Sequence, residues 1–201
     1  MLNQKIRRTW DRIMRPVGSA LGRTGLSPNA ITLLGLLIQT GAAALIVADR
    51  LILAGLVTIV AGVSDVLDGA VAKATGKTSK LGALIDSTAD RVSDALFFLP
   101  VAWLYTVSGG AARDEPWVAA VALIGLVTTF LVSYVRARAE SLGYACNVGI
   151  AERAERVILM IIGLVFSVLL PAIVVLLAAL STITVAQRLL HVRAQARSGA
   201  S

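Results

Sequence analysis

Between Val157 and Gln187 the chain carries no charged side chain. One helix over that stretch would run about 46 Å, far beyond a hydrocarbon core of about 30 Å. The run therefore reads as two membrane spans that turn near Pro171. Ile31–Ala48 and Trp117–Val135 are also apolar over the length a spanning helix needs, about 20 residues. With 57% hydrophobic and 15% charged residues and a mean hydropathy of +0.80, the chain is too apolar for a water-soluble domain of its size.

Two further apolar stretches, Leu51–Ser64 and Ala95–Val107, are too short by themselves. They reach spanning length only if the aspartate-bearing turns beside them continue the same helices. Asp65 and Asp68 then lie in the second span, and Asp86 and Asp90 in the third. The expected fold is all-α and integral to the membrane, with six transmembrane helices over residues 27–195. An amphipathic interfacial helix precedes them over residues 1–26, and residues 196–201 form a flexible tail.

That first segment places Leu2, Ile6, Trp10, Ile13, Val17 and Leu21 at helical spacing, with Lys5, Arg7, Arg8, Arg12 and Arg15 between them. Such a helix lies in the headgroup layer with its arginines toward anionic lipid. It lacks the short apolar core and small-residue cleavage site of a signal peptide. The net charge is +7, and its placement matters more than its size. Six spans put both termini on one side, where Lys73, Lys77, Lys80, Arg136, Arg138, Arg153, Arg156, Arg188, Arg193 and Arg197 also gather. Only Arg50 and Arg113 fall near outer loops. This asymmetry places the termini in the cytoplasm, in a multi-pass protein of the cell membrane. The basic residues serve topology, so no nucleic-acid partner is expected. A single cysteine, Cys146, excludes an internal disulfide.

Asp65 and Asp68 are three residues apart and share a helix face; Asp86 and Asp90, four apart, share another. The polar, turn-rich "KATGKTSK" between them makes an antiparallel hairpin, so both pairs can converge near its cytoplasmic end. An uncompensated aspartate at mid-span costs about 2.5–3.5 kcal/mol on insertion scales. Lys73 and Arg91 are the nearest basic residues, and two cations cannot balance four carboxylates. An all-oxygen set without His or Cys points to a hard divalent ion, Mg²⁺ first, with Mn²⁺ or Ca²⁺ behind. Two such ions would balance the charge, and two-metal sites suit phosphoryl and nucleotidyl displacement. Gly62, Ser64, Gly69, Ala70, Ala72, Gly82 and Ala83 surround the acids. Their small size serves close helix packing and close approach of a phosphate-bearing ligand alike.

Asp65-x-x-Asp68-Gly69-x-x-Ala72, followed by Gly82-x-x-x-Asp86-x-x-x-Asp90, resembles the signature of the CDP-alcohol phosphotransferases. These integral-membrane enzymes join a CDP-activated lipid to an alcohol and release CMP. "SPNAITLLG" (Ser27–Gly35) resembles the family's entry to its first span. One position departs: Lys73 stands where the family usually has arginine, keeping the charge but not the two-pronged grip on phosphate. The resemblance implies Asp65, Asp68, Asp86 and Asp90 as ligands of two Mg²⁺ (or Mn²⁺) ions, and Asp90 as the catalytic base. It also implies that Pro28, Asn29, Thr32, Asp65, Gly69, Ala72, Lys73 and Thr78 bind CDP-diacylglycerol, and that the enzyme is a homodimer. Asp94 has no counterpart in the motif and is expected to pair with Arg91 or a neighbouring helix.

Ser133, Arg136 and Arg138 at the end of span four, Arg153 and Arg156 at the start of span five, and Arg188 near the inner end of span six form a second polar set. Arginine forks onto phosphate better than lysine, so the acceptor alcohol is expected to carry a phosphate of its own. "SYVRARAE", "IAERAER" and "DSTADRVSDA" look most like actinobacterial phosphatidylinositol-phosphate synthases. That resemblance implies inositol phosphate as acceptor, with glycerol 3-phosphate as the alternative. An ion-coupled transporter is the alternative from another class, since intramembrane acids also mark ion paths.

Overall fold

The computed structural model describes residue 14 and residues 16–23, 25–108, 113–150 and 152–198. Every regular element among them is helical: α1 (16–23), α2 (Pro28–Val47), α3 (Leu51–Thr75), α4 (Lys80–Trp103), α5 (Pro116–Ser141), α6 (Arg153–Val165) and α7 (Leu170–Ser198). Among the described residues, four stretches are long and apolar enough to cross a membrane: α2, α3, α5 and Ser167–Ser198, which contains α7. α4 has the length, but Asp86, Asp90, Arg91 and Asp94 lower its hydropathy; α6 is only 13 residues long. Most of the expected N-terminal interfacial helix lies outside the described residues. Its last part, α1, is helical.

The aspartate-bearing turns do continue the apolar helices. Asp65 and Asp68 lie within α3, and Asp86, Asp90 and Asp94 within α4. The long uncharged run divides at Phe166–Leu169, where α6 ends and a 3₁₀ turn over Ser167–Leu169 leads into α7. Pro171 stands in the first turn of α7, where its missing N–H forfeits no helical hydrogen bond. Pro100 lies inside α4, which runs on to Trp103 and then passes into a π-helical turn over Leu104–Ser108. α7 runs on to Ser198, three residues into the expected tail.

The chain divides into two compact units, Met1–Ala42 with Val57–Ser93 and Ala43–Leu56 with Asp94–Ser201. In the first, α1 lies against the C-terminal end of α3. A Cβ on Gly18 would run into the Ala70 carbonyl, and one on Gly22 into Thr75. Nearer the middle of α3, Gly35 of α2 lets Ser64 close in.

The second unit holds the larger apolar core. Phe97, Phe98, Val101 and Leu104 pack with Val118 and Ala122 of α5, Met160 and Leu164 of α6, and Leu170, Val174 and Leu177 of α7. Gly125 makes room for the Phe98 ring; a Cβ there would stand 2.8 Å from Cε1. At the α2–α3 turn, Asp49 adopts φ +54° and pairs with Arg113 at 3.0 Å.

Candidate active site

Three local signals fix the frame of the first unit. Ser27 caps α2, its Oγ accepting the Ala30 N–H at 3.2 Å, with Pro28 in the first helical position. Gly76, at φ +66°, ends α3 in the left-handed conformation that favours glycine. Ser79 caps α4, accepting the Gly82 N–H at 2.9 Å. Gly82 also sits close to Asn29; a Cβ there would be 3.4 Å from Asn29 Oδ1.

Within that frame Asp65, Asp68 and Asp86 each present a carboxylate oxygen, all within 4.8 Å of one another. Asp68 is buried, Asp65 half-buried and Asp86 exposed. Like charges 4 Å apart repel by about 4 kcal/mol at an effective dielectric of about 20, so the grouping calls for a cation. Two oxygens on one Mg²⁺ lie at most about 4.2 Å apart, twice its ligand distance of about 2.1 Å. The three carboxylates are therefore within small side-chain adjustments of sharing an ion, and oxygen-only donors match hard divalent cations.

Asp90 is not in this group. It lies four residues beyond Asp86, about 6 Å along the helix axis, and its Oδ2 is 3.3 Å from Arg91 Nη1. Arg91 also donates to the Ser87 carbonyl at 2.9 Å.

Beside the carboxylates opens a cavity of about 230 Å³. α2 contributes Pro28, Asn29 and Thr32, and α3 contributes Asp68, Gly69, Ala72 and Lys73. Thr78 from the hairpin turn and Asp86 of α4 complete the expected residues. Of those expected at the CDP-lipid, only Asp65 is not on the cavity wall. Gly69 has open space where a Cβ would be, so its smallness serves the cavity, whereas Ala70 and Ser64 take close helix contacts. Gly82 and Ala83, two of the small residues expected around the acids, also line the wall, as do Lys77 and Ser79, to which the sequence assigns no ligand. The position of Lys77 in the short turn between two acid-bearing helices was the signal available for it.

The second polar set belongs to the other unit, and its members differ in surroundings. Arg136 is exposed, 2.9 Å from Glu140 and 3.2 Å from Asn147; Arg138 is exposed near Ser141 at the end of α5. Ser133 and Arg153 are half-buried. Arg156 is buried and donates to Asp94 at 3.0 Å, while its Nε has no hydrogen-bond partner among the described residues. Arg188 is buried too, donating to the carbonyls of Val132 and Val148. Asp94 thus meets a neighbouring helix, not Arg91. The start of α6 has no side-chain cap: Glu152 occupies the cap position without making the bond.

Residues 26–187 match the family model for CDP-alcohol phosphatidyltransferase. The chain is 37% identical over 196 residues to the archaetidylinositol phosphate synthase of Pyrococcus horikoshii, covering 97% of this chain and 98% of that one. A crystal structure of Mycobacterium tuberculosis phosphatidylinositol phosphate synthase with CDP-DAG bound superposes with a TM-score of 0.80 at 35% identity, over 90% of this chain and 94% of that one. The same enzyme in complex with manganese and citrate gives a TM-score of 0.81 at 34% identity, over 89% and 88%. The matched family is one of enzymes, and the transporter alternative falls away with it. The carboxylate grouping, the cavity beside it and these likenesses agree: the chain belongs to the CDP-alcohol phosphatidyltransferase family.

Proposed function

We propose that the protein transfers a phosphatidyl group from CDP-diacylglycerol to a hydroxyl of inositol phosphate, releasing CMP and forming phosphatidylinositol phosphate. The observation that carries this reading is the convergence of Asp65, Asp68 and Asp86 beside a cavity walled by Gly69, Ala72, Lys73 and Thr78. Crystal structures of the similar mycobacterial enzyme hold CDP-DAG in one case and manganese and citrate in another. The archaeal relative is named for a different lipid but also for inositol phosphate, so the acceptor is what the two names share.

Asp65, Asp68 and Asp86, with Asp90 adjoining, would hold two divalent ions, Mg²⁺ or Mn²⁺. When bound, these supply positive charge to the diphosphate and to the departing CMP. Lys73 and Lys77 add point charges on the cavity wall. Asp90 takes the proton from the acceptor hydroxyl. That oxygen then forms the new bond to the lipid-linked phosphorus as the bond to CMP breaks.

The acceptor's own phosphate is received by Ser133, Arg136, Arg138, Arg153, Arg156 and Arg188. Two features support this assignment: the buried, unpartnered Nε of Arg156 and the uncapped start of α6, whose backbone N–H groups favour an anion. The protein works as a homodimer in the cell membrane. Its domain over residues 27–195 crosses six times, residues 1–26 lie in the interface, and the carboxylates face the cytoplasm, in accord with the distribution of Lys and Arg.

An acceptor screen tests this reading. Purified protein with Mg²⁺ and CDP-diacylglycerol should release CMP with inositol 1-phosphate and little with glycerol 3-phosphate. Turnover with glycerol 3-phosphate alone would reassign the acceptor.

A further inference from the structure

Thr32 Oγ1 lies 2.5 Å from Asp68 Oδ2 and 3.2 Å from the Pro28 carbonyl. A hydroxyl has one proton to give, and the carboxylate is both the nearer and the stronger acceptor. Bonds from a hydroxyl to an ionised oxygen run about 2.5–2.7 Å, which matches the Asp68 distance. Asp68 is 6% exposed and Thr32 8% exposed, so water has little access to replace this donor. The Ser27 cap and Pro28 set the start of α2 and hence the register that places Thr32 opposite Asp68.

We propose that Thr32 is a positioning residue for the metal centre: its hydroxyl holds one oxygen of the Asp68 carboxylate, so that the carboxylate meets the divalent ion in a fixed orientation. This goes beyond the expected role of Thr32 as a CDP-lipid contact, and it rests on the metal-binding reading given above. The hydroxyl acts through Asp68. Partners of metal-ligating groups are typically worth about 10- to 100-fold in metal affinity. Valine keeps the branched shape of threonine and removes the donor; serine keeps the donor and removes the methyl.

The test is Mn²⁺ binding to the full-length protein in detergent without CDP-lipid, followed by the electron paramagnetic resonance signal of free Mn²⁺. Thr32→Val should bind Mn²⁺ about 10- to 100-fold more weakly, and Thr32→Ser should bind it nearly as wild type. All three proteins should unfold at similar temperatures. Unchanged Mn²⁺ affinity in Thr32→Val, with weakened CDP-lipid binding, would overturn the proposal in favour of a direct nucleotide contact. Equal loss in Thr32→Ser would overturn it as well, by pointing to shape. Wild-type protein that takes up no Mn²⁺ would defeat the metal-binding reading itself, a result distinct from either.

Discussion

Asp94 of α4 and Arg156 of α6 form a buried ion pair, with Nη2 3.0 Å from Oδ2 and side chains 3% and 6% exposed. Removing one partner of such a pair leaves an uncompensated buried charge, at a cost of about 3–5 kcal/mol. Asp94→Ala should therefore lower the unfolding temperature sharply, read by thermal denaturation in detergent. The double variant Asp94→Leu/Arg156→Met should recover most of that loss, since apolar replacements of both partners are often neutral. If Arg156 also receives the acceptor, the recovered double variant will show a raised KM for inositol phosphate and an unchanged KM for CDP-lipid.

Lys73 and Lys77 both line the cavity beside Asp68. A charge-assisted bond is worth about 1.5–3 kcal/mol, so Lys73→Ala and Lys77→Ala should each raise the KM for CDP-lipid about 10- to 100-fold. Neither should change the KM for the acceptor. Lys73→Arg, which restores the family's usual residue, should bind CDP-lipid at least as tightly as wild type. Steady-state kinetics at saturating acceptor decide both.

The reach of the sequence varies by residue. Spacing alone put Asp65 and Asp68 on one face of a helix, and the short turn from Gly76 to Ser79 brought Asp86 to them. These are local relationships, and the helical repeat fixes them. Asp90 shares a face with Asp86, yet a face is longer than a metal site, and one turn of rise separates the two carboxylates. Asp94 and Arg156 lie 62 positions apart, and only packing of α4 against α6 reveals the pair. The arginines looked like one set because they share a type and a topological level. Burial separates them: Arg136 and Arg138 face outward, while Arg156 and Arg188 are enclosed. The division of the long apolar run was legible from its length, although the break falls at Phe166–Leu169, just before Pro171.

Gly69 faces open space in the cavity wall. Alanine there meets no neighbour, and glycine is the poorer helix former by about 1 kcal/mol. Gly69→Ala should fold with an equal or higher unfolding temperature while binding CDP-lipid more weakly. A variant that loses stability instead would show that the glycine serves packing.

Asp90 lies outside the close carboxylate group, which separates its role from that of Asp65. Asp90→Asn should reduce turnover by about 10²- to 10⁴-fold, the range for a general base, with CDP-lipid binding largely retained. Asp65→Asn should weaken CDP-lipid binding. Equal binding losses in the two variants, measured by calorimetry with Mg²⁺ present, would make Asp90 chiefly a metal ligand.

The central claim is that the carboxylates of Asp65, Asp68 and Asp86 hold divalent cations that grip the CDP-lipid. Its most direct test is CMP release from CDP-diacylglycerol and inositol phosphate before chelation, after chelation, and after Mg²⁺ is restored. The account predicts full turnover, none, and full turnover again, with no restoration in Asp86→Asn. Turnover that continues undiminished in chelator would contradict it.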